Sequence, residues 1–377
     1  MAGLFCAILS IMSLFLRRNK KMPPAISVCI PVFQTERFLE RCLTSVAAQK
    51  ETFTDFEVIV VNDCSDGTDE KGRGTKQVVR RLSRKLKLPV RLISHHENRG
   101  LIEVRRTAVL NARGRYITQV DSDDLMAPGA LAALYKTAVE TDADLVHGHS
   151  TAGGFIDGKW IDAAENRYGT IHFGTIEGHD VFRAWLLGKA YTANIWGKLV
   201  KRDVYASAFD DIPYTQCNMA DDVLIFFFLG LKLRKYVGIE TEVYKYVVNT
   251  GMSSHRKIDT LQKWRMVCSA ASVFTVISTW LDAHKTADGT DPNGEPAWNY
   301  PLPIDEINEI KSMTRYYLFN NLMQMKQTVV PELQHDARAM LCDYWGENFV
   351  IQVETDIARM EADKRAKAEE AGVAGGV

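Results

Sequence analysis

Apolar positions in the first third of the chain follow two rhythms. ISVCIPVF from Ile26, FEVIVVND from Phe56, PVRLISH from Pro89 and RYITQV from Arg115 are short, β-branched runs. Runs of near-continuous apolarity predict strands covered on both faces of a sheet. Between them, ERFLERCLTSVAAQ places Leu39, Cys42, Leu43 and Val46 on one helical face. TKQVVRRLSRKL predicts a helix with a basic, solvated face, and GLIEVRRTAVLNA one that stops at Arg113-Gly114. CSDGTDEKGRGT, after the second strand, supplies turn residues. This alternation predicts an α/β fold, a doubly wound, mostly parallel sheet flanked by helices.

Beyond Pro128 the rhythm loosens. Aromatic and glycine-rich turns (GGFIDGKW, NRYGTIHFG) precede the apolar run DDVLIFFFLGL, and no internal repeat is visible. From about Ile258 the pattern is helical again, through LQKWRMVCSAASVFTVISTWL and EINEIKSMTRYYLFNNLMQM. Trp264, Trp280, Tyr316 and Tyr317 fall on helical stripes that predict core positions. The chain then ends in a charged, glycine-rich tail. Three parts are expected: an N-terminal segment 1–22, an α/β unit 23–255 with halves 23–126 and 127–255, and a helical extension 256–377.

In parallel α/β sheets, ligands bind beyond the carboxyl ends of the strands. Three of the expected strand ends carry acids or amides: Asn62-Asp63, Glu97-Asn98 and Asp121-Ser122-Asp123-Asp124. Crowded carboxylates raise one another's pKa. Either Asp121, Asp123 and Asp124 form an Asx-rich turn capping the next helix, or a hard divalent cation such as Mg²⁺ or Mn²⁺ belongs among them.

Composition narrows the partners. Lys and Arg number 46 against 47 Asp and Glu, so no basic surplus is present for binding a long nucleic acid. The seven cysteines are scattered and never in CxxC spacing, which implies neither a disulfide framework nor a zinc site. Ala2 to Leu16 is uncharged and is followed by RRNKK. It is shorter than the roughly 20 residues of a spanning helix. Basic residues on its C-terminal side would keep the rest of the chain in the cytoplasm and attract anionic lipid. An anchor at the inner face of the membrane and a frayed start both remain open. GxGxxG after the first strand, GxxxxGK[ST], GxSxG and HExxH are all absent. Their absence argues against a dinucleotide-dependent dehydrogenase, a P-loop enzyme, a hydrolase elbow and a zincin.

ISVCIPVFQTERFLERCLTSVAAQ, FEVIVVNDCSDGT, ENRGLIEVRRTAVLNARGRYITQVDSDD, IWGKLVKRDVY and ADDVLIFF, taken together, resemble the successive landmarks of glycosyltransferase family 2. That resemblance covers about residues 25 to 255. It implies a GT-A fold and an inverting, metal-dependent transfer from a nucleotide-sugar. Carried over by motif, Pro31, Val32 and Phe33 line the nucleotide, Glu36 contacts base or ribose, and Asp63 hydrogen-bonds the base, usually uracil. Arg105 matches the arginine of an Ala-Arg-Asn step. Asp121 and Asp123 match the DxD, with Asp123 the metal ligand and Asp121 nearer the ribose, and with Ser122 and Asp124 beside the donor. Asp222 matches the catalytic base of a Glu-Asp pair. Trp196 and Lys198, from a Trp-x-Lys-Leu segment, and Asp221 fall near acceptor and donor sugar. His255 is a further candidate for the metal or the diphosphate, with Arg256 an equal one; a solvent-exposed loop histidine is the alternative.

Departures are visible. Phe33-Gln34 stands for Tyr-Asn, Arg106 for asparagine and Asp221 for glutamate, while a Gln-x-x-Arg-Trp motif and multiple spans are missing. A single or limited addition is therefore expected rather than polymerisation. Asp221-Asp222 also suits plain helix capping. The implied enzyme uses Mn²⁺ or Mg²⁺ and transfers sugar, from a UDP-sugar in this family's habit, to a glycan or lipid-linked acceptor during cell-surface polysaccharide synthesis. A catalytically silent glycan-binding scaffold is the alternative. A sugar-phosphate nucleotidyltransferase is disfavoured, because its triphosphate loop is absent.

Overall fold

The computed structural model describes residues 23–164, 169–248, 250, 257–290, 296–299 and 301–374. The N-terminal segment 1–22 and the candidates His255 and Arg256 lie outside the described residues. The first half runs β1 (Ile26–Val32), α1 (Leu39–Ala48), β2 (Phe56–Asn62), α2 (Thr75–Lys85), β3 (Val90–Ser94), α3 (Leu101–Asn111) and β4 (Tyr116–Gln119). The four strands are parallel in the order β3-β2-β1-β4, with Ile26 opposite both Phe56 and Tyr116.

The period-2 pleat explains why these runs are apolar throughout. Val28, Ile30, Val58 and Val60 point into one core with Leu39, Leu43, Val78 and Leu82 of α1 and α2. Cys29, Ile59 and Val61 point the other way, against Ile102 and Ala108 of α3. A strand buried on both faces leaves its polar chemistry to its ends.

The second half adds β5 (Leu125–Met126), α4 (Ala130–Thr141), β6 (Leu145–Ile156), β7 (Lys159–Asp162), β8 (Gly174–Glu177), α5 (Asp180–Leu186), β9 (Lys198–Lys201), α6 (Arg202–Ala208), α7 (Asp221–Lys232) and β10 (Lys235–Val247). The sheet continues β4-β9-β6-β10-β5. β9 is antiparallel to both β4 and β6, whereas β6 and β10 are parallel. The chain direction therefore changes at β4, and a crevice opens there. α7 is apolar all round and buried from Val223 to Gly230, as a helix inside the core must be. β10 slips register at Glu242 and Tyr244, a bulge that re-aims the side chains beyond it.

The C-terminal part contributes α8 (Leu261–Cys268), α9 (Ala270–His284), β11 (Thr286–Thr290), β12 (Pro296–Asn299), α10 (Ile304–Thr328), α11 (Gln334–Trp345) and α12 (Glu347–Ala374). Val273, Phe274, Ile277, Ile307 and Ile310 share a core with Phe226, Phe227 and Phe228 of α7. Trp264 is fully buried in a separate cluster with Leu318, Leu322 and Leu341, and its Nε1 donates to the Ala337 carbonyl at 2.8 Å. Tyr317 packs on Phe274, but Tyr316 is 61% exposed, because one more step around α10 carries it off the apolar stripe. Among the described residues, Leu261–His284 is long and apolar enough to cross a membrane, and half of it is buried inside the protein.

Candidate active site

Strand ends bring the acids together. Pro31, Val32 and Phe33 at the end of β1, Asp63 after β2, Asn98 after β3 and the Asp121–Asp124 segment after β4 line one cleft of about 280 Å³. Arg105 from α3, Trp196 before β9, Asp221 and Asp222 of α7 and Tyr246 of β10 complete it.

Each acid is held differently. Asp63 caps α3: its Oδ1 accepts from the Arg99 N–H at 3.0 Å and its Oδ2 from the Gly100 N–H at 2.9 Å, a favourable place for a negative charge. His95 Nδ1 adds a contact of 2.6 Å to Oδ1. Gly100 has φ +85°, and a Cβ there would stand 3.1 Å from the Cys217 carbonyl oxygen, so only glycine fits.

In the Asp121–Asp124 segment, Asp124 is the buried anchor. Its Oδ1 accepts from the Val247 N–H at 2.7 Å and its Oδ2 from the Tyr244 hydroxyl at 2.8 Å. The same hydroxyl accepts from the Asp121 N–H at 3.1 Å. Ser122 Oγ pairs with Thr35 Oγ1 at 2.6 Å, and Arg41 donates to the Asp123 carbonyl at 2.7 Å. These bonds fix the loop and leave Asp123 partly exposed, its Oδ2 accepting from Thr250 at 3.1 Å.

A buried ionic bridge links the two halves. Arg105 Nη2 donates to Asp121 Oδ1 and its Nε to Asp221 Oδ2, both at 3.0 Å. Burial would lower the guanidinium's pKa, but the two carboxylates outweigh it and the net shift is upward. Arg105 Nη1 is buried and has no partner among the described residues, in a side chain that lines the cleft.

One cation cannot neutralise the rest. Burial, then the neighbouring charge of Asp121, raises the Asp123 carboxyl; burial, then Asp123 and Asp121, raises Asp124 well above the ordinary value. Burial also raises Asp221. Asp222 is pushed up to about 6 by burial and then by Asp221. Behind it, Lys198 is 1% exposed, donates to the Asn194 carbonyl, and is lowered by burial to about 7.

Such an excess of carboxylate suits a divalent cation. No cluster of three or more His, Cys, Asp or Glu side chains suited to a metal occurs among the described residues. The protein would thus give a cation one or two carboxylates, from Asp123 and Asp121, and leave its other positions to phosphate oxygens and water. Mg²⁺ and Mn²⁺ are commonly held in that way, so the residues fit.

Residues 27–189 match the family model for Glycosyl transferase family 2. These residues form a family 2 glycosyltransferase domain. The chain is 27% identical over 231 residues to the glycosyltransferase GlyA of Streptococcus pneumoniae, covering 61% of this chain and 31% of GlyA. It is 28% identical over 192 residues to TarP of Staphylococcus aureus, a poly(ribitol-phosphate) β-N-acetylglucosaminyltransferase, covering 50% and 56%. The chain thus spans less than two thirds of the length of these curated relatives. Among solved structures, residues 1–349 of S. aureus TarS in complex with UDP superpose with a TM-score of 0.52 at 17% identity, covering 88% of this chain and 91% of that one. The glycosyltransferase domain has the GT-A fold, with C-terminal helices packed on it.

Pro31, Val32, Phe33, Asp63, Arg105, Asp121, Ser122, Asp123 and Asp124, within the matched residues, and Trp196, Asp221 and Asp222, beyond them, all border one cleft. Two expected site residues do not. Glu36 is buried under the 64–75 loop, its Oε1 accepting from Thr75 Oγ1 at 2.5 Å and its Oε2 set against Gly67, where a Cβ would fall 2.2 Å away. It shapes that loop and borders the neighbouring groove rather than the cleft. Lys198 points inward from β9 and stays off the cleft wall. Asp124, expected beside the donor, has both oxygens occupied by Tyr244 and Val247 and serves as an anchor. Asn98, at an expected polar strand end, lines the cleft as well, whereas the sequence reading missed Asn194 and Asn218 on the cleft wall and Tyr244 and Tyr246, which stack on Trp196 with centroids at 4.5 and 5.8 Å. The signal was there in EVYKYVV, where two tyrosines two apart share one strand face.

Proposed function

We propose that the protein is an inverting, metal-dependent glycosyltransferase that moves a sugar from a nucleotide-sugar, a UDP-sugar in the first instance, to a hydroxyl of a glycan or lipid-linked acceptor. The observation that carries this is the convergence of Asp63, Asp121, Asp123 and Asp222 on a single cleft. Similarity to TarP supports a cell-surface polymer as the setting.

Asp63, at the β2 end, would accept from the nucleobase, with Phe33 and Pro31 flanking the base. Asp123, with Asp121 beside it, would hold Mn²⁺ or Mg²⁺. When bound, that ion supplies positive charge for the departing diphosphate. Trp196 and Tyr246, stacked on each other at 5.8 Å, line the cleft and would flank the acceptor sugar. Asp222 takes the proton of the acceptor hydroxyl as that oxygen attacks the anomeric carbon. Its raised pKa of about 6 makes it a stronger base than an ordinary aspartate while leaving it ionised at neutral pH. A single backside displacement breaks the bond to the diphosphate oxygen as the new one forms, so the anomeric configuration inverts.

The test is nucleoside diphosphate release from a panel of nucleotide-sugars with Mn²⁺ and candidate acceptors, the anomer of the product being read by NMR. An inverted product supports the proposal. No release from any donor, or retention of configuration, overturns it.

A further inference from the structure

Asp63 is held by more than the helix it caps. Its Oδ1 receives two donors, His95 Nδ1 at 2.6 Å and the Arg99 N–H at 3.0 Å, and its Oδ2 receives one, the Gly100 N–H at 2.9 Å. A carboxylate only accepts hydrogen bonds, so Nδ1 carries the hydrogen and a neutral ring then has Nε2 as its acceptor. Thr107 Oγ1 lies 2.9 Å from Nε2 and donates its hydroxyl hydrogen to it. His95 and Asp63 side chains are 6% and 3% exposed, so little water competes for these bonds.

We infer that His95, backed by Thr107, is a positioning residue for nucleobase recognition: it fixes the Asp63 carboxylate so that one acceptor direction, on Oδ2, is left for a ring N–H in the cleft. The inference rests on the proposed donor-binding role of Asp63. Three protein donors remove the carboxylate's freedom to rotate, and the acceptor direction that remains belongs to a residue that lines the cleft. Because a carboxylate oxygen only accepts, that direction suits a base presenting N–H, as the imide of uracil or the lactam of guanine does, over a bare ring nitrogen. Without His95, Oδ1 loses its side-chain donor, the carboxylate can turn, and the base contact loses its orientation.

The experiment is calorimetric titration of the full chain with Mn²⁺ and UDP, GDP, CDP or ADP, and with inorganic pyrophosphate as a ligand lacking a base. The tightest nucleotide of the parent protein is carried into His95→Ala, His95→Asn and His95→Gln. Asparagine can place an N–H where Nδ1 stood; glutamine places its amide nearer the Nε2 position. Expected is a loss of about tenfold in nucleotide affinity for His95→Ala and His95→Gln, the scale of one oriented hydrogen bond to a charged group. His95→Asn should recover most of it, and pyrophosphate affinity should stay unchanged in all four proteins. Unaltered nucleotide affinity in His95→Ala overturns the inference. So does a parallel fall for nucleotide and pyrophosphate, which marks a general lesion. Should His95→Ala not fold, equal behaviour of the asparagine and glutamine variants overturns it as well. If the parent binds no nucleotide better than pyrophosphate, base recognition itself fails, and the inference fails with it.

Discussion

Lys198 and Asp222 yield a pH dependence that can be worked out in advance. Asp222 is raised from 3.8 to about 6 by burial and by Asp221, while Lys198 pulls the other way. The base functions only as carboxylate. With a pKa of about 6, roughly nine tenths of it is ionised at pH 7 and roughly one tenth at pH 5. Turnover should therefore fall about tenfold between those pH values, whereas an aspartate near 3.8 would lose only about a twentieth of its rate. Lys198→Met keeps the buried volume and removes a charge that favours the carboxylate, so the acid limb should move to higher pH. Asp222→Asn should cost about 10²–10⁴-fold in turnover while leaving donor affinity in place.

The same shift has a stability sign. A carboxyl raised in the folded state is destabilising above about pH 6 and neutral to stability below the unfolded value. Asp222→Asn should accordingly raise the thermal midpoint at pH 7 while it lowers activity. The assay is steady-state turnover from pH 4.5 to 8 at saturating metal and donor, with donor affinity followed separately so that binding does not masquerade as chemistry. Turnover that is flat between pH 5 and 7, an acid limb that moves down in Lys198→Met, or an Asp222→Asn variant above about a tenth of parental rate would each refute the assignment.

Packing and hydrogen bonding set three other outcomes. Arg105→Met leaves the buried Asp221 and the partly buried Asp121 without their cation and should destabilise the fold by about 3–5 kcal/mol in urea titrations. Tyr244→Phe removes one donor to Asp124 and the acceptor of the Asp121 N–H; about 1–3 kcal/mol of stability should go, together with part of the metal-dependent nucleotide affinity. Gly100→Ala forces a Cβ into a left-handed backbone beside the Cys217 carbonyl and should cost about 1–3 kcal/mol, read as a lowered thermal midpoint. An unchanged midpoint in any of the three contradicts the geometry behind it.

The first half of the fold was legible because its strands are buried on both faces. ISVCIPV and FEVIVVN can be little else, and a parallel sheet dictates that their polar ends meet on one rim. The second half was less so. β6 and β10 are long, β10 is bulged, and together they carry glycine, histidine and glutamate among their apolar residues, so neither period stands out. That is why Tyr244 and Tyr246, on β10, escaped notice. Motif position told which residues come near the cleft but not which way each points. Lys198 and Glu36 fall at family positions yet turn into the core, the first toward the Asn194 carbonyl and the second toward Thr75. The Arg105 bridge could not be seen either, since its partners lie 16 and 116 residues away. The crowding of Asp121, Asp123 and Asp124 was visible from the start, and the structure divides it into one anchor, one bridge partner and one carboxylate left partly exposed.

Calorimetry of UDP binding to the parent and to Asp123→Ala, each with and without Mn²⁺, decides whether those acids exist to share a cation with a diphosphate. The parent should bind far more tightly with Mn²⁺ than without, and Asp123→Ala should lose that difference. Equal affinity in all four titrations would mean that the carboxylates hold no metal, and the assignment of Asp121 and Asp123 would fall.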